Sequence, residues 1–420
     1  MPEGVPSRWG PRPDVISMRI AIVGNFGLTG KQTMAVRALP LARELASRGH
    51  SVRMMLPVRR DSDRKGPKES EGVGISYAGR GPRIQGLVQI WQVIRLAWLV
   101  RCWKPEVVYC FKPIAHSGAL LALFWWLRRL GLCRVLLALD TDDWEGTGGW
   151  NERQPFPGWL KRLISWQEQW SLRHADVVTV ASKALMEMCG QVGARRIVYL
   201  PNAVANLQEV IKVGAVSQPP DLQALKDRPV VLLYTRFFEF GLDRLIRTCL
   251  TILQQVPRGV LLVVGEGLNG EEKLLEKMAV ARGIADRVIL AGWVPPQQLP
   301  GYFAAADVAL YPMDDTLLNR TKCPMKLLDL MTAGVPVVAD RVGQTTEYLV
   351  HGVTGVLVDP SDAGGMATAV VELLRDPGRR IAMGKAAQAD AISRWSWKLW
   401  AAEAEHALAS ELAAECGSTP

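Results

Sequence analysis

A lysine and an aspartate lie three residues apart within residues 319–340, a stretch that reads as a loop, a short helix, a tight turn and a buried strand. Pro324 suits the first turn of this helix, and Gly334 is typical of its end. Lys326 and Asp329 then share one face near the helix start. Unpaired N–H groups, the positive end of the helix dipole and the lysine predict a phosphate or diphosphate site. A surface salt bridge on an ordinary helix is the alternative.

Carboxylates cluster where a buried strand predicted at 134–139 ends, at Asp140, Asp142 and Asp143. Ligands of parallel sheets bind at the C-terminal ends of strands, and mutual repulsion with burial is expected to raise at least one pKa here. An aspartyl-phosphatase signature would need a small residue at Trp144. Three roles remain: a metal site on a phosphorylated ligand, a structural turn, or binding of substrate hydroxyls with help to a departing proton. We favour the last, with Asp140 and Asp142 as catalytic candidates.

A glycine-containing loop follows the strand predicted at 19–24 and holds Gly30, Lys31 and Gln32. The GxxxxGK[ST] phosphate-binding motif would need glycine at Asn25 and Ser or Thr at Gln32. The dinucleotide fingerprint GxGxxG also fails at Asn25. These departures exclude an ATPase and disfavour a dehydrogenase. What remains is a flexible loop at a helix N-terminus that carries Lys31, with a mere tight turn as the alternative.

Bulk composition indicates a globular chain. Its 420 residues suffice for two domains, 49% are hydrophobic and 22% are charged. Seven scattered cysteines without C-x-x-C spacing argue for a reducing compartment, and neither a zinc site nor another resident metal or cofactor is expected. Residues 1–17 are polar and proline-rich rather than a signal peptide, which predicts a cytoplasmic protein. The net charge of +9 calls for a polyanion, an anionic membrane surface or phosphorylated substrates.

Tryptophan and basic residues are interleaved in the N-terminal half, where ten of the fifteen tryptophans lie between Trp91 and Trp170. The apolar stretch 84–103 is interrupted by Arg95, and the run 114–127 is too short to span a membrane. Tryptophan with arginine suits the membrane interface. We therefore expect peripheral contact with an anionic membrane, on the inner face of the cell membrane; core helices packed on a sheet are the alternative. No nucleic-acid partner is expected.

The C-terminal half carries several motifs in a fixed order: VVLLYTRFFEFGLDRLI from residue 230, VLLVVGEG, DRVILAGWVPP, the stretch 319–340, and EYLVHGVTGVLVDP. In that order they resemble the nucleotide-sugar-binding half of glycosyltransferase family 4, the retaining transferases with the two-domain GT-B fold. The resemblance covers roughly residues 18–400 and is looser in the N-terminal half. It implies the α/β class, with two Rossmann-like doubly wound parallel-sheet domains that face each other across a cleft.

The resemblance also implies a domain plan. It comprises a polar tail (1–17), an acceptor-binding domain (18–205), a linker (206–228), a nucleotide-sugar-binding domain (229–390) and a C-terminal helix that crosses back to the first domain (391–420). In the family, the glycine loop approaches the donor phosphates and the acceptor, and a histidine often follows a strand of the acceptor domain. His116 matches that histidine, although a structural role is the alternative.

Donor binding is likewise implied by the resemblance. Arg236, at a strand terminus, corresponds to the arginine that grips the donor diphosphate. The lysine that follows it in the family is missing, because the chain has Gly241 there. Lys326 is expected to supply the second positive charge, so Arg236 and Lys326 are the catalytic candidates on this side. The other predicted donor-binding residues are Glu266 near the sugar, Trp293 and Val294 near the base, and Cys323, Met325, Leu327 and Asp329.

The family's paired glutamates, separated by seven residues, fall on Thr321 and Asp329. Asp329 can still bind ribose hydroxyls, but Thr321 cannot act as the first carboxylate, which leaves Asp314 or Asp315 as substitutes. The implied reaction moves a sugar from a nucleoside diphosphate sugar to a hydroxyl acceptor, lipid-linked or soluble, with retention and without metal. A GT-B-fold sugar-nucleotide epimerase and a degenerate, non-catalytic homologue acting as a binding subunit are the alternatives.

Overall fold

The computed structural model describes residues 17–28, 33–58, 63, 66–79, 81–82, 84, 86–204, 222 and 225–417. Strands and helices alternate along these ranges. The strands are β1 (Arg19–Val23), β2 (Ser51–Leu56), β3 (Glu69–Ser70), β4 (Val73–Tyr77), β5 (Val107–Phe111), β6 (Leu136–Thr141), β7 (Val177–Val180), β8 (Ile197–Tyr199), β9 (Val230–Tyr234), β10 (Val260–Val264), β11 (Val288–Gly292), β12 (Val308–Tyr311), β13 (Val337–Asp340) and β14 (Val356–Val358).

Fourteen α-helices connect or follow these strands in the described residues: α1 (Leu39–Ser47), α2 (Leu87–Trp103), α3 (Ala115–Arg129), α4 (Gly158–His174), α5 (Lys183–Val192), α6 (Leu242–Gln255), α7 (Glu271–Ala281), α8 (Leu299–Ala304), α9 (Leu317–Thr321), α10 (Met325–Thr332), α11 (Thr345–Tyr348), α12 (Gly365–Arg375), α13 (Pro377–Arg394) and α14 (Trp397–Gly417). A π-helical segment, Met34–Ala38, precedes α1, and 3-10 helices occupy Trp150–Arg153 and Ala285–Arg287.

The strands form two sheets. An eight-stranded sheet has the order β3-β4-β2-β1-β5-β6-β7-β8, and a six-stranded sheet has the order β11-β10-β9-β12-β13-β14. In the first sheet β3 is antiparallel to β4, whereas β1 is parallel to both β2 and β5. In the second sheet the neighbouring strands are all parallel. This confirms the predicted α/β class with two parallel sheets.

The chain divides into two compact units. The first unit contains the described residues up to 139, residues 174–177 and the described residues from 404 onwards. The second unit contains residues 140–173 and 178–403. The domain boundaries expected from the sequence, which follow chain order, stay a prediction.

Within the first unit, β1 is a central strand. Ile20 pairs with Val52 of β2 and with Val107 of β5, and all three side chains are buried. Strands of a parallel sheet covered on both faces are apolar throughout, which explains the continuous hydrophobic run of β1. The C-terminal residues of this unit are held by charge: Glu405 accepts a 2.5 Å hydrogen bond from Arg48 Nε and lies 3.0 Å from His50 Nε2.

Within the second unit, most of the stretch 319–340 folds as its sequence predicts. Pro324 is the N-cap residue of α10 rather than part of its first turn, and Leu327, Leu328, Leu330 and Met331 of this helix are buried. Gly334 ends it with φ of +72°, a conformation that favours glycine, and its N–H donates to Met331 O at 2.9 Å. β13 follows with all four residues buried. The predicted helix, turn and buried strand are present, but residues 319–321, predicted as loop, form the end of the short helix α9.

Among the described residues, no helix has the length and apolar character needed to cross a membrane.

Candidate functional site

A strained turn at the end of β9 presents Arg236. Thr235 is buried, Arg236 is exposed, and Phe237 has φ of +66°, which is an outlier for a bulky residue. The Phe237 N–H donates to Thr235 Oγ1 at 2.8 Å and holds the turn. The guanidinium group therefore lies at the C-terminal end of a central parallel strand, where ligands of such sheets bind.

Three cations surround the ring of Phe238. Lys322 Nζ lies 4.4 Å from the ring centroid, Arg153 Cζ 5.7 Å and Arg236 Cζ 5.8 Å. Each distance is within the range of a cation–π interaction. Arg153 also donates a 2.8 Å hydrogen bond to the Phe238 carbonyl oxygen. Basic side chains from three separate segments of the chain thus lie close to one aromatic ring.

A buried ion pair joins Glu239 to Lys322. Lys322 Nζ donates to Glu239 Oε1 at 2.7 Å, and both side chains are almost completely buried. Burial favours the neutral acid, but the ammonium groups of Lys322 and Lys326 together hold the pKa of Glu239 below its ordinary value. Asn319 Nδ2 donates to the Glu239 carbonyl oxygen at 2.6 Å, so this residue also ties the turn to the segment before α10.

Lys326 lies in the first turn of α10, as predicted, and its Nζ atom is 4.9 Å from the ring centroid of Tyr234. Tyr234 is the last residue of β9, two residues before Arg236. The structure therefore brings the two predicted donor-binding cations to the same strand terminus. The half-buried Asp329 lies on the same helix as Lys326.

The other residues predicted in this segment make structural contacts. Cys323 Sγ accepts a hydrogen bond from the Asn202 N–H at 3.3 Å and lies 3.2 Å from the Tyr348 hydroxyl. Met325 is half-buried against the core, and Leu327 is completely buried within it. The Leu327 side chain is therefore closed to a ligand, and only its backbone is available for the predicted donor contact.

Glu266 and Trp293 are also brought together. Both side chains are exposed, and the Trp293 N–H donates to Glu266 Oε1 at 3.2 Å, whereas Val294 is buried. Gly265, directly after β10, has φ of +122°, and a Cβ atom there would lie 1.9 Å from the Thr235 carbonyl oxygen. Glycine is required at this close approach, which places Glu266 beside the turn that carries Arg236.

The two proposed substitutes for the missing first carboxylate differ in their contacts. Asp315 is exposed and forms a two-point ion pair with Arg320 at 2.5 and 2.7 Å. Asp314 is half-buried, 3.4 Å from Arg244, which also bonds the buried Asp340 at 2.5 Å. Thr321 is buried, and its hydroxyl donates to the Leu317 carbonyl oxygen at 2.9 Å.

Glu239, Lys322 and Arg153 are not among the site residues predicted from the sequence. Glu239 stands two residues before Gly241, where the lysine is missing, and Lys322 stands directly after Thr321, where the glutamate is missing. The sequence therefore has an acidic residue near the position of the missing lysine and a lysine next to the position of the missing glutamate, and this pattern could have pointed to the pair. Arg153 had no such signal, because its proximity to Phe238 depends on the tertiary fold.

The aspartates at the C-terminal end of β6, Asp140 within the strand and Asp142 just after it, lie inside the protein. Asp140 is completely buried and accepts a 2.7 Å hydrogen bond from the Thr179 hydroxyl, and Asp142 is also buried. Downstream, Glu168 accepts hydrogen bonds from the N–H groups of Glu145 and Gly146, both at 2.8 Å. No group of three or more His, Cys, Asp or Glu side chains suited to a metal ion occurs in the described part of the chain. The catalytic roles of Asp140 and Asp142 stay predictions.

The predicted residues of the first unit are less fully described. Gly30, Lys31 and Gln32 lie outside the described residues. His116 is buried in the first turn of α3. Asn25 is bonded in the same region: its Nδ2 donates to Ile114 O at 2.8 Å, and its Oδ1 accepts from the Ser117 N–H at 3.0 Å. Asparagine thus has a structural role at the position where both nucleotide-binding motifs would need glycine.

Two family models match the chain. One, described as Glycosyl transferase 4-like domain, matches residues 32–203. The other, described as Glycosyl transferases group 1, matches residues 228–376. The second range contains Arg236, Glu239, Lys322 and Lys326.

Curated relatives are glycosyltransferases by name. The GDP-mannose-dependent alpha-(1-6)-phosphatidylinositol monomannoside mannosyltransferase of Mycolicibacterium smegmatis is 33% identical over 229 residues, which cover 53% of this chain and 59% of that protein. The D-inositol 3-phosphate glycosyltransferase of Acidothermus cellulolyticus is 31% identical over 241 residues, which cover 53% of this chain and 52% of that protein. The chain thus spans only part of the length of the relatives it matches.

Solved structures share the fold over nearly the whole chain. Sucrose-phosphate synthase from Thermosynechococcus elongatus has a TM-score of 0.69 at 22% identity, covering 94% of this chain and 100% of that one. Anabaena HepE in complex with UDP and glucose has a TM-score of 0.67 at 19% identity, with the same coverage. The expected GT-B fold is confirmed, and with the two family models it leads to one conclusion: the chain belongs to the group 1 glycosyl transferases.

Proposed function

We propose that this protein transfers a sugar from a nucleoside diphosphate sugar to a hydroxyl acceptor, with retention of anomeric configuration and without a metal ion. The observation that carries the proposal is the convergence of Arg236 and Lys326 on the end of β9. A fork-shaped guanidinium beside an ammonium group suits a diphosphate, because the two charges match its phosphoryl oxygens.

The same cations account for catalysis. As the bond between the sugar and the diphosphate breaks, the sugar acquires oxocarbenium character and negative charge grows on the leaving phosphate. Arg236 and Lys326 stabilise that charge more strongly in the transition state than in the ground state, which accelerates the reaction. The eight-residue helix α10 adds the positive end of its dipole at Lys326.

The remaining predicted residues take defined places in this proposal. Asp329 binds the ribose hydroxyls, Glu266 lies near the sugar, and the backbone at Trp293 and Val294 contacts the base. For the acceptor, Asp142 is proposed to bind a hydroxyl group or to take up the departing proton; the roles of His116 and of Gly30, Lys31 and Gln32 stay those that the resemblance implies.

The names of the relatives narrow the substrates to test first. The Mycolicibacterium smegmatis relative is named as GDP-mannose-dependent, and both relatives are named for acceptors that contain a phosphorylated inositol. We therefore propose GDP-mannose as donor and a hydroxyl group of a phosphoinositol compound, free or lipid-linked, as acceptor.

A surface of the first unit supports an acceptor at a membrane. Leu87, Ile90, Ile94 and Trp98 follow one face of α2 and are between 49% and 62% exposed. Arg95 lies over the Trp98 ring, 4.1 Å from its centroid. An exposed apolar stripe with arginine on a chain of net charge +9 matches an anionic lipid surface. We propose peripheral contact of this stripe with the inner face of the cell membrane.

Nucleotide release tests the catalytic proposal. The protein is incubated with GDP-mannose or UDP-glucose, with and without inositol 3-phosphate or phosphatidylinositol vesicles, in the presence and absence of EDTA. The proposal is supported if nucleoside diphosphate is released only when acceptor is present and if the release continues in EDTA. The product should also retain the anomeric configuration of the donor, as measured by NMR. Release without acceptor points to the epimerase alternative, and the absence of turnover with any donor and acceptor, including cell extract, points to a binding subunit.

Vesicle sedimentation tests the membrane proposal. The wild type is expected to bind vesicles containing phosphatidylserine at low salt and to dissociate as salt rises, because screening weakens surface charge interactions. Ile94→Ser with Trp98→Ser should lose binding, whereas the matched change of exposed Leu268→Ser and Leu274→Ser in the second unit should not. Equal sedimentation of both double variants, or a concentration-dependent dimer in place of lipid binding, contradicts the proposal.

A further inference from the structure

Arg153 has no role in the site predicted from the sequence, yet it lies against the same aromatic ring as Arg236. We propose that Arg153 is an anion-binding residue that acts with Arg236 to hold a phosphoryl group of a substrate. This inference rests on the proposed function, which supplies two phosphorylated ligands: the nucleoside diphosphate of the donor and a phosphorylated acceptor.

The balance of charge at Phe238 favours an anion. Of the three cations around the ring, Lys322 is neutralised by Glu239 at 2.7 Å. Among the described residues, neither Arg153 nor Arg236 forms an ion pair with a carboxylate, and both are exposed. Glu271 interacts with Arg153 by charge, but no ion pair joins these two side chains in the described part of the chain. Two guanidinium groups thus remain for an anionic ligand.

The backbone around Arg153 positions the side chain in advance. Arg153 ends a 3-10 helix, Trp150–Arg153, whose first residue packs on Phe238 with ring centroids 5.1 Å apart. The N–H groups of Trp150 and Asn151 donate to Trp144 O and Glu145 O, each at 3.0 Å. A site held before the ligand arrives loses little entropy on binding.

The segment before this helix is closely packed as well. A Cβ atom at Gly149 would lie 2.0 Å from the Trp144 carbonyl oxygen, and one at Gly148 would lie 2.7 Å from Leu317 Cδ2. Asn151 Nδ2 donates to the Lys161 carbonyl oxygen at 2.8 Å. These contacts fix the loop that carries Arg153 against both α4 and the segment that leads to α10.

Arginine can supply the positive charge that is missing at Gly241. The sequence resemblance places a second cation five residues after Arg236, and this chain has glycine there. Arg153 provides a cation at the same turn from a distant part of the chain. Its planar fork, oriented by the Phe238 ring and carbonyl group, can bind two phosphoryl oxygens at once.

The test compares Arg153→Met and Arg153→Lys with Arg282→Met, an exposed arginine just after α7 that serves as matched control. Calorimetry measures binding of GDP, UDP, guanosine, uridine, inorganic pyrophosphate and inositol 3-phosphate. We expect Arg153→Met to raise the dissociation constants of the phosphoryl-containing ligands about tenfold or more, because a hydrogen bond to a charged group is lost. Nucleoside binding should not change, Arg153→Lys should be intermediate, and Arg282→Met should match the wild type.

Comparing these ligands shows whether Arg153 binds the donor or the acceptor phosphate. It also distinguishes a failure of this inference from a failure of the proposed function. A loss confined to nucleoside diphosphates and pyrophosphate assigns Arg153 to the donor, and a loss confined to inositol 3-phosphate assigns it to the acceptor; both support the inference. Unchanged affinity for all anions in a folded Arg153→Met overturns it, as does an equal loss for nucleosides. Absence of nucleoside diphosphate binding by the wild type contradicts the proposed function instead, while pyrophosphate and inositol 3-phosphate still test Arg153.

Discussion

Two strand ends in this molecule carry charged clusters, and they are built in opposite ways. At the C-terminal end of β6, the carboxylate of Asp140 is completely buried and accepts a hydrogen bond from the Thr179 hydroxyl. After β9, Arg236 is exposed, and its neighbour Arg153, also exposed, contacts the Phe238 carbonyl group and ring. Both positions are where parallel sheets bind ligands. The difference teaches that, of these two clusters in the described residues, the one at the end of β9 exposes its charge to a ligand of opposite sign.

Among the charged residues around Phe238, the Glu239–Lys322 pair differs most from Arg153 and Arg236. The pair is buried and its charges neutralise each other, whereas the two arginines are exposed. We expect Lys322→Met to destabilise the protein by about 3–5 kcal/mol, since it leaves a buried carboxylate without its partner. Replacement of both residues, as Glu239→Gln with Lys322→Met, should restore most of that loss. Urea unfolding measures both variants, and equal destabilisation by the single and double variants contradicts this account.

The pair also predicts a pH dependence. The pKa of Glu239 is lower in the folded protein than in the unfolded chain, so its ionised form contributes stability above the unfolded pKa of about 4.3. That contribution is lost as the pH falls through the folded pKa. Between pH 6 and pH 3, the Glu239→Gln variant should therefore lose less stability than the wild type in urea unfolding. Parallel pH profiles for the two proteins disagree with this prediction.

Loss of an exposed arginine should affect catalysis rather than folding. We expect Arg236→Ala to lower kcat/KM for sugar transfer by about 100-fold or more, roughly 3 kcal/mol of transition-state stabilisation, because the leaving diphosphate loses one preorganised donor. The melting temperature should change little. Arg282→Ala is the matched control, and an equal effect of both changes on kcat/KM rules out a specific role for Arg236.

Asp142, which follows β6, should behave differently from the cations. We expect Asp142→Asn to lower kcat about tenfold or more, as loss of a group that assists proton transfer should. Affinity for nucleoside diphosphate should stay unchanged, because the predicted role of Asp142 is on the acceptor side. Steady-state kinetics together with calorimetry separates the two effects. A loss of nucleotide affinity would place Asp142 in the donor site instead.

The smallest effect is expected at Asp315, which the sequence offers as a substitute for the missing carboxylate. Its exposed ion pair with Arg320 should contribute less than about 1 kcal/mol. Asp315→Asn should leave kcat/KM within about twofold of the wild type. A large loss of activity in this variant, with unchanged stability, shows that Asp315 acts on the sugar.

The sequence predicted the fold because its signals are local. The apolar runs of the parallel strands, Gly334 after α10 and Arg236 at the end of β9 each follow from neighbouring residues, and the structure contains all three features. The predicted convergence of Arg236 and Lys326 is also present at that strand end.

The missed residues depend on contacts between distant segments. Lys322 is 83 residues from Glu239 in the chain, and Arg153 is 85 residues from Phe238. No helical or strand periodicity links such positions. The left-handed backbone conformation at Phe237, next to the exposed Arg236, could not be predicted either, because the residue is not a glycine. Pairing of this kind follows from tertiary packing, which a single sequence does not display.

The central claim, that the end of β9 binds a nucleoside diphosphate, is tested most directly by thermal stabilisation with GDP, UDP, ADP and dTDP. A ligand at a hundred times its dissociation constant stabilises a protein by about 2.7 kcal/mol, which is readily measured. We expect one nucleotide, GDP first, to stabilise the wild type and the control Arg282→Ala but not Arg236→Ala with Lys326→Ala. Absence of stabilisation by any of the four nucleotides, or a full shift in the double variant, contradicts the claim.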